Sequence, residues 1–361
     1  MKKSKKILFL TPYPHGKAPS QRFRFEQYIP LLLESGHTVE LKSFIDHQTW
    51  NVLYARGKEF EKTIGIIWGY LKRLLVLFSV RKYDFVLIHR EATPLGPPMV
   101  EFILSRVLKK KIIYDFDDAI WLSNTSSENK IIAGIKWHKK VRSICKWSYK
   151  VSCGNEFLSE FARNYNENVI INPTTIDTVN LHNPDLVKPD FKDDLPVIGW
   201  TGTHSTIKYL YKLVPILQEL EREIDFKFLI ISNKKPDIEL NSLDYIPWNL
   251  ATEIEDLARI DIGVMPLEDD LWSKGKCGFK ALQYLALGIP AVVSPVGVNT
   301  KIIENNKNGF LCDSDEEWLA SLKSMLVDEK HRTELGRYGR QTIIQQYSVI
   351  SNKNNFLDLF E

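Results

Sequence analysis

At 361 residues, with 44% hydrophobic and 26% charged residues, the chain is long enough for two cores of ordinary size and too polar for a membrane bundle. A formal charge of +3 argues against a nucleic-acid polymer as partner and leaves any anionic ligand to be met by local clusters. Cys145, Cys153, Cys277 and Cys312 are widely spaced, with no CxxC pair and no His/Cys spacing suited to zinc, which fits a reduced cytosolic compartment.

The N-terminus, MKKSKKILFLTPYP, sets basic residues before apolar ones as a signal peptide does. Its apolar run is only about five residues and meets Pro12, so it reads as a first β-strand. The segment from Ile64 to Val80 is the most apolar in the chain, yet Lys72 and Arg73 sit in its middle. A spanning helix needs roughly 20 apolar residues and tolerates central charges poorly, so no span is expected. Two placements remain: a helix at a bilayer surface with Lys72, Arg73, Arg81 and Lys82 near headgroups, or a helix packed on the domain's own sheet.

Short β-branched runs follow one another through the first half: KILFLT, TVELKSF, DFVLIH, KIIYDFD, YKVSC and NVIINP. Helical patterns such as Arg22 to Glu34 and Pro98 to Leu108 separate several of them. After Asn172 the polar, proline-dotted stretch to Pro196 reads as a linker. The rhythm restarts with PVIGWTG, FKFLIIS, DIGVMP, PAVVS and GFLC, with helices near Ile207 to Arg222, Glu253 to Arg259, Gly278 to Leu287 and Glu316 to Leu326. Alternating strands and helices call for parallel sheets covered on both faces. The expected class is therefore α/β, two Rossmann-like doubly wound parallel-sheet domains facing a cleft. The domains are placed at 1–172 and 196–345, with the linker at 173–195 and a C-terminal helix at 346–361. Ligands of such sheets bind outside the carboxyl ends of the strands.

Within the second domain, Lys274-Gly-Lys-Cys-Gly feeds a helix that Gly288 and Pro290 terminate. Free N–H groups and the macrodipole favour an anion at such a start, and the glycines let backbone come close. Lys276, Lys280 and Gln283 fall on one stripe at i, i+4 and i+7. Two ammonium groups followed by an amide suit a diphosphate and then a polyol such as ribose; ordinary lysines on a solvated face are the plainer alternative. The strand DIGVMPL just upstream places this helix start on the ligand-bearing rim.

Asp261 to Gly297, with the Asn308-Gly-Phe-Leu turn after it, resembles the donor-site region of the family 4 retaining glycosyltransferases, which have the GT-B fold. In that family two glutamates stand eight residues apart and the second opens an E-A-x-A-x-G-x-P-V-V run. Here Gln283-Tyr-Leu-Ala-Leu-Gly-Ile-Pro-Ala-Val matches the run, with Gln283 at the second glutamate and Gly275 at the first. The resemblance implies nucleotide-sugar contacts at Lys276, Cys277, Gly278, Lys280 and Gln283, the ribose contact surviving as an amide. The family's Arg and Lys after the first strand of this domain are replaced by Ile198-Gly-Trp-Thr-Gly-Thr-His-Ser-Thr. That turn still offers Gly202, Thr203, Ser205 and Thr206 to phosphate.

In the first domain, YDFDDAIW ends a strand with Asp115, Asp117 and Asp118. Carboxylates grouped at a strand end point to function, and hard oxygen ligands would suit magnesium or manganese. GT-B enzymes work without a bound metal, and the resemblance instead aligns Asp117 or Asp118 with the place where a histidine sits near the sugar. His89, ending the preceding strand, is a candidate acceptor-site or polarising group, or a structural histidine. The first loop is like the family's glycine-bearing loop: Gly16 allows close approach, while Arg22 and Arg24 meet a phosphate or pair with Glu26 and other acids.

The expected activity is retaining, metal-independent transfer of a sugar from a nucleotide-diphosphate sugar to a saccharide or lipid-linked acceptor, in cell-surface polysaccharide assembly. Asp117, Asp118, His89 and Lys280 are the catalytic candidates. No cofactor beyond the donor is implied, no nucleic acid, and a cytoplasmic site, with Ile64–Val80 offering contact with the inner membrane face. A noncatalytic nucleotide-sugar-binding subunit and a GT-B epimerase stay open as alternatives. A dinucleotide oxidoreductase is disfavoured because neither domain's first strand is followed by GxGxxG. The C-terminal stretch reads as two helices broken around Tyr347-Ser348, the last of which crosses back to the first domain or stays on its own.

Overall fold

The computed structural model describes residues 4–53, 55, 57–122, 137–187 and 194–361. The chain forms two units, Met1–Thr174 with Asn352–Glu361, and Thr175–Ser351. Each is built on a six-stranded sheet with neighbouring strands parallel.

In the first unit the strands are β1 (Lys6–Thr11), β2 (Thr38–Ser43), β3 (Phe85–His89), β4 (Lys111–Phe116), β5 (Lys150–Cys153) and β6 (Val169–Ile171), in spatial order β2-β1-β3-β4-β5-β6. Ile7 to Leu10 and Val86 to Ile88 have no exposed surface, as continuous apolar runs require when helices cover both faces. The order reverses between β1 and β3, so the loops leaving their carboxyl ends diverge and open a crevice there.

The long helix Glu59–Ser79 connects β2 to β3. Its inward face is Gly65, Gly69, Arg73 and Val76. A Cβ on Gly65 would lie 2.2 Å from Thr49, and one on Gly69 would lie 2.7 Å from Phe44. Arg73, expected near headgroups if the helix lay on a bilayer, is instead fully buried and donates to the carbonyls of Ala92 at 2.7 Å, Lys42 at 3.0 Å and Thr11 at 2.8 Å. Burial pulls its pKa down to about 9 against the opposing influence of Glu101. The helix is thus packed on its own sheet through its small and basic residues.

The second unit has β7 (Val197–Gly202), β8 (Lys227–Ser232), β9 (Leu243–Pro247), β10 (Ile262–Met265), β11 (Ala291–Val293) and β12 (Gly309–Leu311), in the order β12-β11-β10-β7-β8-β9. Its reversal falls between β7 and β10. Trp200, Phe228, Ile230 and Val264 on the strands pack with Leu217, Leu322 and Met325 from helices.

The stretch 173–195, expected as a linker, is drawn into the second unit over 175–187. There Arg340 donates to His182 O at 3.0 Å, Thr178 O at 3.3 Å and Asn183 Oδ1 at 3.2 Å, giving this irregular backbone the partners a sheet would otherwise supply. Residues 188–193 of that stretch lie outside the described residues. At the C-terminus, Phe356 stacks on Tyr28 with centroids 4.2 Å apart, and Phe360 packs edge-on against Phe85 at 5.9 Å within the first unit.

Candidate functional site

In the second unit the carboxyl ends of β7 and β10 border the sheet's reversal, and the loop after β10 turns into the helix Phe279–Ala286. Gly278 is the N-cap, at φ +67°, with room for no side chain: a Cβ would lie 2.3 Å from Ile302 Cδ1. As a glycine, Gly278 brings no capping side chain, and the positive end of the helix macrodipole lies at this turn. Lys280, in the first turn, holds its ammonium 5.3 Å from the centroid of Trp200, which β7 buries beneath it. Lys276 lies 6.0 Å from the Trp272 ring. The first of these contacts sets Lys280 against the end of β7. Cys277 is buried beside Lys276, so what that position offers a ligand is backbone.

Opposite them, the turn after β7 is exposed at Thr203 and Ser205, whose hydroxyls bond each other at 2.8 Å. Asn233, after β8, accepts from His204 N at 2.8 Å and pins the turn. Thr206 Oγ1 donates to Thr203 O at 2.9 Å, and Tyr284 Oη accepts from Thr201 N at 3.0 Å, tying the helix to the strand end. Lys280 and the Gly202 turn therefore flank one crevice.

Gln283 does not look into that crevice. It is 2% exposed, and its Nε2 is 3.3 Å from His182 Nε2. The one-turn step from Lys280 to Gln283 is enough to carry the amide from rim to interior. His182, in the stretch expected to be a linker, carried no sequence signal that would have paired it with Gln283.

In the first unit, the Gly16 loop after β1 and the residues after β3 border the other crevice. Gly16, at φ +75°, donates its N–H to Glu26 Oε2 at 2.8 Å, and Gln21 bonds Glu26 Oε1 at 3.0 Å. Arg24, considered as a phosphate ligand, turns inward and forms an ion pair with Asp115. Asp115 is also 2.8 Å from His89 Nδ1 and accepts from Ser152 Oγ at 2.7 Å. Burial favours the neutral acid, but the Arg24 charge and the His89 bond outweigh it and hold this carboxyl below the usual aspartate range.

A carboxylate at Nδ1 makes that nitrogen the donor. His89 Nε2 is buried and has no hydrogen-bond partner among the described residues. Arg90, at φ +59°, donates from Nε to Asp117 at 2.8 Å and from Nη2 to Asp118 at 2.6 Å. Desolvation opposes its charge; the two carboxylates overcome it and raise the guanidinium pKa. Asp117 and Asp118 are thus a carboxylate pair bound by one cation. Among the described residues no group of three or more His, Cys, Asp or Glu side chains is arranged for a metal ion. The four cysteines are buried; burial pushes the Cys145 thiol up to about 12 and Cys312 to about 11, so neither is a nucleophile at neutral pH.

Arg90 and Trp200 were not singled out from sequence. The signal for Arg90 was its position beside His89 at the end of a strand adjacent to the aspartates; for Trp200, its place on the strand leading into the polar turn.

Residues 188–342, less than half of the chain, match the family described as Glycosyl transferases group 1. No curated protein matches the sequence. Among solved structures, the chain resembles a glycosyltransferase from Rickettsia africae, with TM-score 0.68, 14% identity and coverage of 100% of this chain and 98% of that one. It also resembles sucrose-phosphate synthase from Thermosynechococcus elongatus, with TM-score 0.70, 12% identity and coverage of 99% and 98%. The catalytic domain of starch synthase IV from Arabidopsis thaliana, bound to ADP and acarbose, gives TM-score 0.69, 12% identity and coverage of 99% of each chain. The architecture is GT-B, two Rossmann-like units, and the matched region contains the Lys280 crevice.

Proposed function

We propose that the chain transfers a hexose, with retention and without a metal, from a nucleotide-diphosphate sugar to a saccharide or lipid-linked acceptor, in the cytoplasmic steps of cell-surface polysaccharide assembly. No cofactor beyond the donor is required in this reading. The observation that carries it is Lys280, set over Trp200 in the first turn of the helix Phe279–Ala286, within the region matching group 1 glycosyl transferases.

As the glycosidic bond breaks, negative charge grows on the leaving diphosphate. A fixed ammonium and the positive end of the helix macrodipole stabilise that charge more than the ground state, which lowers the barrier. The leaving oxygen then takes the acceptor's proton on the same face as the attack, so the transfer balances with no oxidant and no metal. In the first unit, the partly exposed Asp117–Arg90–Asp118 cluster is assigned to orient an acceptor hydroxyl, and buried His89 is assigned to hold Asp115 behind it. Gln283, held by His182, is reassigned from ribose contact to support of the helix.

A noncatalytic nucleotide-sugar-binding subunit is the second reading, favoured by Gly275, which supplies no carboxylate, and by the inward-facing Gln283. A panel of uridine, adenosine and guanosine diphosphate sugars separates the two. A ligand at 100 times its dissociation constant adds about 2.7 kcal/mol of stability, visible as a thermal shift. The donor that shifts the melting temperature is then incubated with the protein, and nucleoside diphosphate is assayed. Release, accelerated by a saccharide acceptor, supports transfer. Binding without release supports the subunit, and epimerised donor without acceptor supports an epimerase.

A further inference from the structure

The helix Glu59–Ser79 turns its polar anchor inward and its apolar side outward. Phe60, Ile64, Ile67, Leu71, Leu74 and Phe78 recur at alternating spacings of four and three, and each is exposed; Phe78 reaches 86% and Phe60 76%. Trp68 and Leu75 widen the stripe to about 120° of the helix surface at 100° per residue. By length and composition the segment Glu59–Lys82 is apolar enough to cross a membrane. It is nevertheless fastened along the sheet: Gly65 and Gly69 admit no side chain, and Arg73 is bonded to three carbonyls. Rotating the stripe inward would strip those carbonyls of a charged donor and drive large side chains into Thr49 and Phe44.

Charge singles out what covers the stripe. The first unit carries 29 Lys and Arg against 18 Asp and Glu, a net +11, whereas the second carries 19 against 27, a net −8. The small total charge conceals this division. A second copy seated on the same stripe would bring two strongly cationic units together, while an anionic surface is complementary to one. Trp68 at the stripe's edge has the amphipathic ring suited to a headgroup boundary.

We propose that the first unit docks on an anionic phospholipid bilayer, with the helix Glu59–Ser79 lying in the interface plane and its stripe in the headgroup–acyl boundary. The docking is independent of sugar transfer: a chain that binds vesicles but turns over no nucleotide sugar upholds the docking and removes the transferase, and the reverse holds equally.

The test is cosedimentation of the full chain with phosphatidylcholine vesicles containing or lacking phosphatidylglycerol. Binding to the anionic vesicles is expected to exceed that to neutral ones at least about 10-fold and to fall with salt. L74E/L75E, whose side chains point outward, is expected to melt as wild type does and to lose binding at least about 10-fold; Phe78→Asp serves as a second variant should the first fail to fold. Wild type remaining in the supernatant with anionic vesicles overturns the inference. So does a wild-type dimer that L74E/L75E makes monomeric while vesicle binding is unchanged, since the occupant is then a second copy.

Discussion

Arg24 and Asp115 form an ion pair inside the first unit, the guanidinium side chain 0% and the carboxylate 3% exposed. Replacing one member leaves the other charge buried without its partner, which costs more than the pair itself contributes. Asp115→Asn is expected to lower unfolding free energy by about 3 kcal/mol in urea melts.

The same pair fixes an acid dependence. The folded-state pKa of Asp115 lies below its unfolded value, so its contribution is complete above the ordinary aspartate range and is lost as pH falls through the folded value. Stability of the wild type measured below about pH 4 should fall more steeply than that of Asp115→Asn. Parallel profiles would show that the carboxylate is not charged in the fold.

At the edge of the sheet, Glu40 accepts from Tyr83 and Lys82. The Tyr83 hydrogen bond leads in lowering its pKa from 4.5 to about 2, with burial opposing. Its stabilising effect is therefore present above 4.5 and disappears as pH falls toward 2. Tyr83→Phe should raise the Glu40 titration, followed by carboxyl NMR, toward its ordinary value, with Lys42 and Lys82 still holding it down.

Two glycines with similar backbone separate conformation from space. Gly278, at φ +67°, would press a Cβ to 2.3 Å from Ile302, whereas Gly288, at φ +76°, has nothing within 4 Å of that position. Gly288→Ala should cost about 1 kcal/mol, the left-handed backbone penalty alone. Gly278→Ala should cost about 3 kcal/mol, because the core must also yield. Equal melting temperatures would contradict the packing described at the helix start.

The strand and helix rhythm was legible because buried parallel strands read as uninterrupted β-branched runs bounded by turns. β9, Leu243–Pro247, escaped because LDYIP is half-buried at the sheet edge and carries a polar residue and a proline. The orientation of the Glu59–Ser79 helix was not legible from its apolar residues, since Lys72 and Arg73 interrupt them equally; the small pair Gly65 and Gly69, four apart, was the clue to the packed face. Lys280 and the turn after β7 could be placed on one rim because strand ends and a helix start announce themselves in sequence. Arg24–Asp115, Arg90–Asp117 and Gln283–His182 join residues 91, 27 and 101 positions apart, and side-chain pairing over such separations leaves no periodic trace.

The most direct measurement is the single-turnover rate of sugar transfer from the donor that the nucleotide-sugar panel selects, compared between wild type and Lys280→Ala. Removal of one preorganised cation at the developing diphosphate charge should slow the chemical step by about 10²-fold, with Lys276→Ala slowing it as well. Transfer at the wild-type rate in both variants would contradict the assignment of this crevice as the donor site.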